Sequence, residues 1–490
     1  MTTGTFVRRS GAWVPLTSTV TPLTLPTGSG IYTYPFVLTQ SGVTDIQSAL
    51  NWVASQSGNA LTFPSGTYPI VPSFTQNLPN GCCVLVPAGV SIYGQGTTFT
   101  KFTLSGALTI TGIPVGTRAV TDGATTNLST TFTSSTANFK LNDIGVGISG
   151  TNIPANTTIA SITSSTQVVM SAAASATGSS LSVTIGGTTN PNYIFRTTGG
   201  GAAITMNGFS IDGSALASGA IPTYKGAYAS GTTYAVGDLV LNGSPSSVFR
   251  SLQASNTGHT PVGGASDSWW EYLTFGGLMI HQETNPTVQN LLIKGIYGYK
   301  NTPPGEIFSL NIYKTTLSST ATVTDVEVDG GGIGAALVGC NSNNVDCSYV
   351  LTRMYTHNSG HSHGVTMYQC KDATFNNCTS INNGTGTGSS AGVGFNHEET
   401  YGTIIHNSSI ANQGNTLAST RFEAGDNGGV NNTNFQLNGV TFTNSLYSMK
   451  CQNLQTTIPT YDGTSSLSGS SATNSSTQTV SPVPCIYVGA

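Results

Sequence analysis

Charge is what this sequence has least of. Only 7% of its 490 residues are Asp, Glu, Lys or Arg, against about 25% in a typical soluble domain. The net charge is −4, which excludes the basic footprint of a nucleic-acid binder. Long apolar runs are also missing. No stretch reaches the roughly 18 apolar residues of a transmembrane helix, so no membrane insertion is expected. The first residues, Met1 to Ser18, include Arg8 and Arg9 but no apolar segment behind them, so they do not read as a secretory signal. The eight cysteines show no zinc-ligand spacing. Cys82 and Cys83 are adjacent, and Cys340, Cys347, Cys370 and Cys378 read as buried free thiols filling an interior. No metal or cofactor is expected.

Glycine is abundant, at 60 residues, and 37% of the chain is hydrophobic. High net charge with few apolar residues would signal disorder; this composition signals ordered β-structure kept soluble by hydroxyls and amides. The second half repeats one motif, a short apolar strand followed by an Asn- and Gly-rich corner. It reads VQNLLIKG at Val288–Gly295, VTDVEVDG at Val323–Gly330 and LTRMYTHNSG at Leu351–Gly360. It returns at Phe375–Gly384, Ile405–Gly414 and Leu437–Asn444. The corner glycines Gly360, Gly384 and Gly414 are 24 and 30 residues apart. A period of this size predicts a solenoid, because strands so short bury a face only by stacking coil on coil.

Seven segments follow. Residues 1–35 form a Thr/Pro-rich arm, a linker or an attachment segment. In 36–116, Ile46, Ala49, Leu50 and Val53 recur at helical spacing, with Thr44 or Asp45 as cap, so one helix is expected to plug the first coils. Residues 117–187 alternate in short strands and read as a small β-domain; seventy structureless residues would be unusual. Residues 188–221 return to a coil, 222–275 form a second small β-module, and 276–445 are the main solenoid. The Ser/Thr/Gly-rich end, 446–490, reads as a cap or an inter-chain segment.

The helix, the strand Leu61–Phe63 and the run Phe63-Pro64-Ser65-Gly66-Thr67-Tyr68, followed by Gly89–Phe102 with its G-x-G, resemble the opening of the pectate-lyase-like right-handed parallel β-helix superfamily. The expected fold is therefore all-β, a right-handed parallel β-helix with an N-terminal capping helix and two inserted β-modules. In the second module, Tyr234, Gly237, Asp238, Val240, Phe249, Asn256, Pro261, Trp269 and Trp270 resemble the small chitin-binding-type carbohydrate modules. The rings of Trp269, Trp270 and Tyr234 are glycan-binding candidates, since an aromatic face covers the C–H face of a pyranose; either Trp could instead be the module's own core. Together these features resemble phage tail spike and tail fibre proteins. That resemblance implies a virion component assembled in the host cytoplasm and released by lysis. It also implies a homotrimer, contact with other tail proteins through the N-terminal arm, and a bacterial surface polysaccharide as partner. It leaves open whether the chain only binds glycan or also depolymerises it. The alternative is a secreted bacterial polysaccharide hydrolase or lyase with an inserted carbohydrate-binding module.

Three strands align after their corner glycines: Ser362–Cys370, Ala391–Glu399 and Ser419–Asp426. Alternation turns Val365, Met367, Val393, Phe395, Phe422 and Ala424 inward. The outward set is then Tyr368, Asn396, Glu398, Arg421 and Glu423, with His361, His363, His397 and Asp426 at strand ends. Glu398, Glu423, Asp426 and His363 are the catalytic candidates, because two carboxylates can cleave a glycosidic bond, as acid and as base or nucleophile. Tyr368, Asn396, His397 and Arg421 are the glycan-binding candidates beside them. A lyase would use a base and a charge neutraliser, for which Arg421 and Lys371 are nearest. Ordinary solvated charge on a solenoid is the competing reading. The N-T-D and D-D motifs of glycosidase-type β-helices are missing, and Gly360–Gly364 only loosely echoes their G-H-G. Asp325, Glu327 and Asp329 alternate along one strand, an unspecific cation candidate.

Overall fold

The computed structural model describes residues 6–9, 12–15, 22–71, 73–75, 82–105, 109–111, 118–137, 139, 147–154, 157–185, 192–199, 201–216, 224–235, 237–242, 247–251, 253–261, 269–273, 275–296, 308–313, 319–330, 333–338, 348–359, 363–368, 370, 373–383, 393–398, 404–406, 408–411, 418–423, 436–438, 441–443, 447–452, 460–461 and 466–468. His361, Lys371 and Asp426 lie outside the described residues. At Tyr368, Asn396, Glu398, Arg421 and Glu423 the backbone alone is described.

The chain stacks parallel strands coil on coil. One wall is a sheet of eleven strands, whose order runs from Thr109–Thr111 through Asn192–Thr197 and His363–Tyr368 to Tyr447–Gln452. We call it the flat wall. The other wall bends. Thr205–Asp212, Thr287–Ile296 and Thr320–Gly330 each run continuously through a corner and pair in parallel with one another. In later coils the same path divides in two, as in Ser348–Thr352 with Tyr355–His357, then Ala373–Asn376 with Thr379–Ile381. Strands that pair only with the coil above and below make a parallel β-helix rather than a barrel. Parallel crossovers are right-handed in about 98% of sheets, which favours the expected hand.

The Asn-rich motif marks the bends. Register aligns Gly208, Asn290, Asp325, Arg353 and Asn377 at successive corners, and all five have positive φ, from 52° to 78°. Gly and Asn tolerate this left-handed conformation best. Asn290 also donates its amide to Asn207 Oδ1 on the coil below at 2.9 Å. A second corner row, Gly295, Gly330, Asn358 and Asn382, likewise has positive φ.

Between the walls the core is a set of aligned ladders. Met206, Val288, Val323, Leu351, Phe375 and Ile405 follow one another up the bent wall, all buried. Phe195, Leu278, Leu310, Val365 and Phe395 face them from the flat wall. Phe102 packs edge-on against both Phe195 and Phe209. Cys370 and Cys378 are buried in this interior, as is Cys82 elsewhere in the stack, while Cys83 is partly buried; none of the four forms a disulfide.

The helix Ile46–Ser55 closes one end, burying Ile46, Ala49, Leu50 and Val53. Asp45 caps it by accepting from Ser48 N at 2.7 Å, and the Ser48 hydroxyl accepts from Asp45 N in return. The helix binds the stack through Gln47, whose side-chain amide donates to Leu85 O and accepts from Leu85 N.

Two further sheets have cores of their own, one of six antiparallel strands and one of four strands whose first pair, Tyr224–Ala227 with Leu239–Asn242, is parallel. Six strands between Arg118 and Ile185 enclose Phe132, Ile148, Ile159, Val168, Met170 and Ile185. Asp122 ties their edge by accepting from Ser134, Ser135 and Thr136, which holds its carboxyl well below the usual range. Four strands between Tyr224 and Leu273 enclose Tyr234, Val240, Phe249 and Trp270.

Candidate active face

Backbone register brings the sequence candidates into neighbouring rungs of the flat wall. Tyr368, Glu398, Glu423 and Gln452 are partners in four successive coils. Thr366, Asn396, Arg421 and Lys450 form the row beside them. Glu398 and Glu423 thus occupy neighbouring rungs, about 4.8 Å apart along the stack.

Four candidates are corrected. His397 is 0% exposed and pairs with Met367 and Phe422, so it belongs to the inward row. Strict alternation decides this: His397 shares parity with Phe395, and the strand runs on to Glu398 without a break. Burial drives its pKa down to about 3, leaving a neutral ring in the core rather than a sugar ligand. His363, 4% exposed, shares parity with Val365 and also points inward, away from any outer catalytic pair. Tyr234 and Trp270 are core residues of the four-stranded module. Their rings meet at 5.2 Å, and the Trp270 indole donates to His259 O. Trp269 is only partly buried, and its ring stacks on His259 at 3.6 Å and 10°.

The same two outer rows run back to residues the sequence did not single out. Tyr368 continues to Val338, Tyr313 and His281. Thr366 continues to Ala336, Asn311, Met279 and Arg196. The His281 and Tyr313 rings stack at 5.6 Å and 11°, and both are half-buried. Tyr193 lies across the rows: its ring covers Gly276, where a Cβ would strike it, and its hydroxyl accepts from Asn311 Nδ2 at 2.9 Å. Arg196 is 2% exposed. Its Nε and Nη1, Asn311 Oδ1, Thr366 Oγ1 and His281 Nδ1 are buried without a hydrogen-bond partner. Burial, and then the Arg196 charge, push the His281 pKa down to about 4. Arg196 was legible only as a lone arginine in the strand NYIFRT. The chain between 198 and 274 hides its alignment with Met279.

The outside of the bent wall carries more charge, and most of that charge is matched within the wall. Arg353 places Nε and Nη2 on the two Asp325 oxygens at 2.6 and 2.7 Å. Lys294 reaches Asp212 at 3.0 Å. His357 Nε2 lies 3.0 Å from Glu327, while Asn358 Nδ2 donates to Asp329 and reaches His357 Nδ1, at 2.8 Å each. The three acidic residues considered for a cation therefore have protein partners. No group of three metal-ligating side chains occurs among the described residues, and none of the described helices is long and apolar enough to cross a membrane.

No family model and no curated protein matches the chain. Among solved structures it is similar to the enzymatically active domain of bacteriophage CBA120 tailspike protein 2, with 9% identity, TM-score 0.40, 95% of this chain and 45% of that one. It is similar to the A-module of Azotobacter vinelandii mannuronan C-5 epimerase AlgE4, with 11% identity, TM-score 0.38, 92% of this chain and 98% of that one. It is also similar to the Gp54 tailspike of Acinetobacter baumannii bacteriophage AP22, solved in complex with A. baumannii capsular saccharide, with 11% identity, TM-score 0.24, and 91% and 69% covered. The fold class itself rests on the coil-to-coil register described above.

Proposed function

We propose that the outer face of the flat wall binds an extended glycan, and that the chain is a receptor-binding spike or fibre of a phage tail whose partner is a bacterial surface polysaccharide. The observation that carries this reading is that two adjacent rows of the flat wall bring together Asn311, Thr366 and Asn396 in one and His281, Tyr313 and Tyr368 in the other. Rows that run along the stack suit an extended polymer, and hydroxyl-rich ligands are held by amides, hydroxyls and ring faces. The low charge of the whole chain agrees. In this reading three copies assemble side by side, and the N-terminal arm meets other tail proteins.

The Glu398–Glu423 rung pair adds cleavage to binding. One carboxylic acid would protonate the glycosidic oxygen as its bond to the anomeric carbon breaks. The other carboxylate would attack that carbon or take a proton from the attacking water. Glu398→Gln and Glu423→Gln should each lower release of reducing ends from host envelope polysaccharide by at least about 100-fold, with binding retained. Unchanged release in both variants sinks the catalytic assignment. Failure of wild-type chain to retain any envelope polysaccharide in a pull-down sinks the binding reading as well.

A further inference from the structure

Four large hydrophobic side chains stand exposed among the described residues: Phe36, Leu38, Val71 and Leu128. They fall in two places. Leu128, 82% exposed, tips the turn that joins Arg118–Thr125 to Thr131–Thr133 in the six-stranded module. Ser129 N closes that turn by donating to Thr126 O at 3.0 Å. Leu128 is its third residue and has φ +60°, where a type II turn takes Gly or Asn. Left-handed backbone crowds a leucine Cβ, and here the side chain buries almost nothing in return. The mount is firm. Leu128 N donates to Ala174 O, Ala174 N to Ser129 O and Asn127 N to Thr177 Oγ1, at 2.8, 2.8 and 2.9 Å. Neither local conformation nor burial within the chain accounts for this leucine, and such outliers point to function.

The second place is the plugged end of the stack. Phe36, 66% exposed, and Leu38 flank buried Val37 on the single helical turn Phe36–Thr39 ahead of the plug helix. Val71 follows Gly66–Ile70, the strand whose Tyr68 meets Tyr34 edge-on at 5.7 Å, two residues before that turn. Building on the reading of copies assembled side by side, we propose that Leu128 of one chain seats against Phe36 and Leu38 of a neighbouring copy. A second copy supplies the missing apolar cover to both places at once. A knob on one surface and its receiver on another make a head-to-tail contact, which closes into a ring when the rotation permits. With only 7% of residues charged, copies approach without strong mutual repulsion. Neither place belongs to the flat wall, so assembly can be altered without touching the glycan rows.

The test is sedimentation velocity of the full chain over a dilution series. Leu128→Asn and Phe36→Ser should each weaken association about tenfold or more, the effect of losing one buried apolar side chain. Equal assembly of wild type and Leu128→Asn overturns the proposal and leaves side-by-side assembly standing; a wild type that is monomeric at every concentration overturns both. Weakening by Leu128→Asn but not by Phe36→Ser gives the knob a different receiver and also ends the proposal. Chains carrying Leu128→Cys, mixed with chains carrying Phe36→Cys and oxidised, should cross-link position 128 to position 36 above the wild-type background. Cross-links between like chains alone count against the contact. At dilutions where chains are separate, Leu128→Asn should melt no lower than wild type, because Asn suits the turn. A lower Tm there would make Leu128 a residue of its own module and sink the inference.

Discussion

On the bent wall Arg353 forks onto Asp325, Lys294 meets Asp212 and His357 meets Glu327. On the flat wall Arg196 faces no carboxylate among the described residues, and Asn311 Oδ1, Thr366 Oγ1 and His281 Nδ1 stand unpartnered along the same wall. Both walls come from the same coils, so the difference does not arise from the backbone. It arises from where burial and charge coincide. The bent-wall charges are about half exposed, for example 54% and 42% for Arg353 and Asp325. Water and mutual pairing keep their cost low. The flat-wall groups are covered, and covered groups without partners weaken a protein. A face that spends stability in this way is a candidate for binding, whereas a face that satisfies itself is a candidate for scaffold.

Three experiments would break or sharpen that contrast. The largest effect should come from pH. His281 and His397, both on flat-wall strands, are pushed down to about 4 and about 3, mainly by burial. Their stabilising neutral forms are complete above the unfolded value near 6.5 and are lost as pH falls below it. Between pH 7 and 5 the two groups together should cost about 4 kcal/mol of unfolding free energy. Guanidinium titrations at several pH values would show it. Each single change, His281→Gln or His397→Gln, should remove about half of the slope; an unaltered slope in both would refute the assignment.

Next, Gly276→Val should drive a side chain into the Tyr193 ring and the Phe308 carbonyl. A loss of about 3 kcal/mol is expected by chemical denaturation, with the Asn311–Tyr193 hydrogen bond broken. A neutral result would mean that Tyr193 does not lie over the rows. The smallest effect belongs to the bent wall. A double-mutant cycle on Arg353→Ala and Asp325→Ala should give a coupling of about 0.5–1 kcal/mol, screened away near 1 M salt. A coupling of several kcal/mol would show that this wall, too, is held by buried electrostatics.

Much of the fold was legible because its signals are local. The motif of apolar strand and Asn/Gly corner survives in the structure as aligned positive-φ residues. The helix was legible from the spacing of Ile46, Ala49, Leu50 and Val53 together with Asp45. The Glu398 and Glu423 rung was legible because only one coil separates them. The four corrected residues had a different failing. For His363 and His397, strand-end position suggested exposure, but parity with Val365 and Phe395 prevailed. For Tyr234 and Trp270, a ring that could bind sugar was needed to fill a core too small to spare it.

The sequence by itself determined that short strands would stack and where each coil would turn, since strand period and left-handed corners are properties of a few adjacent residues. Only the tertiary structure decided that Arg196 joins the face of Thr366 and Asn396, because the intervening chain between 198 and 274 returns to the stack one rung higher. It also decided which charges found partners, since pairing across coils depends on register and burial, and neither can be read from a residue and its neighbours in the chain.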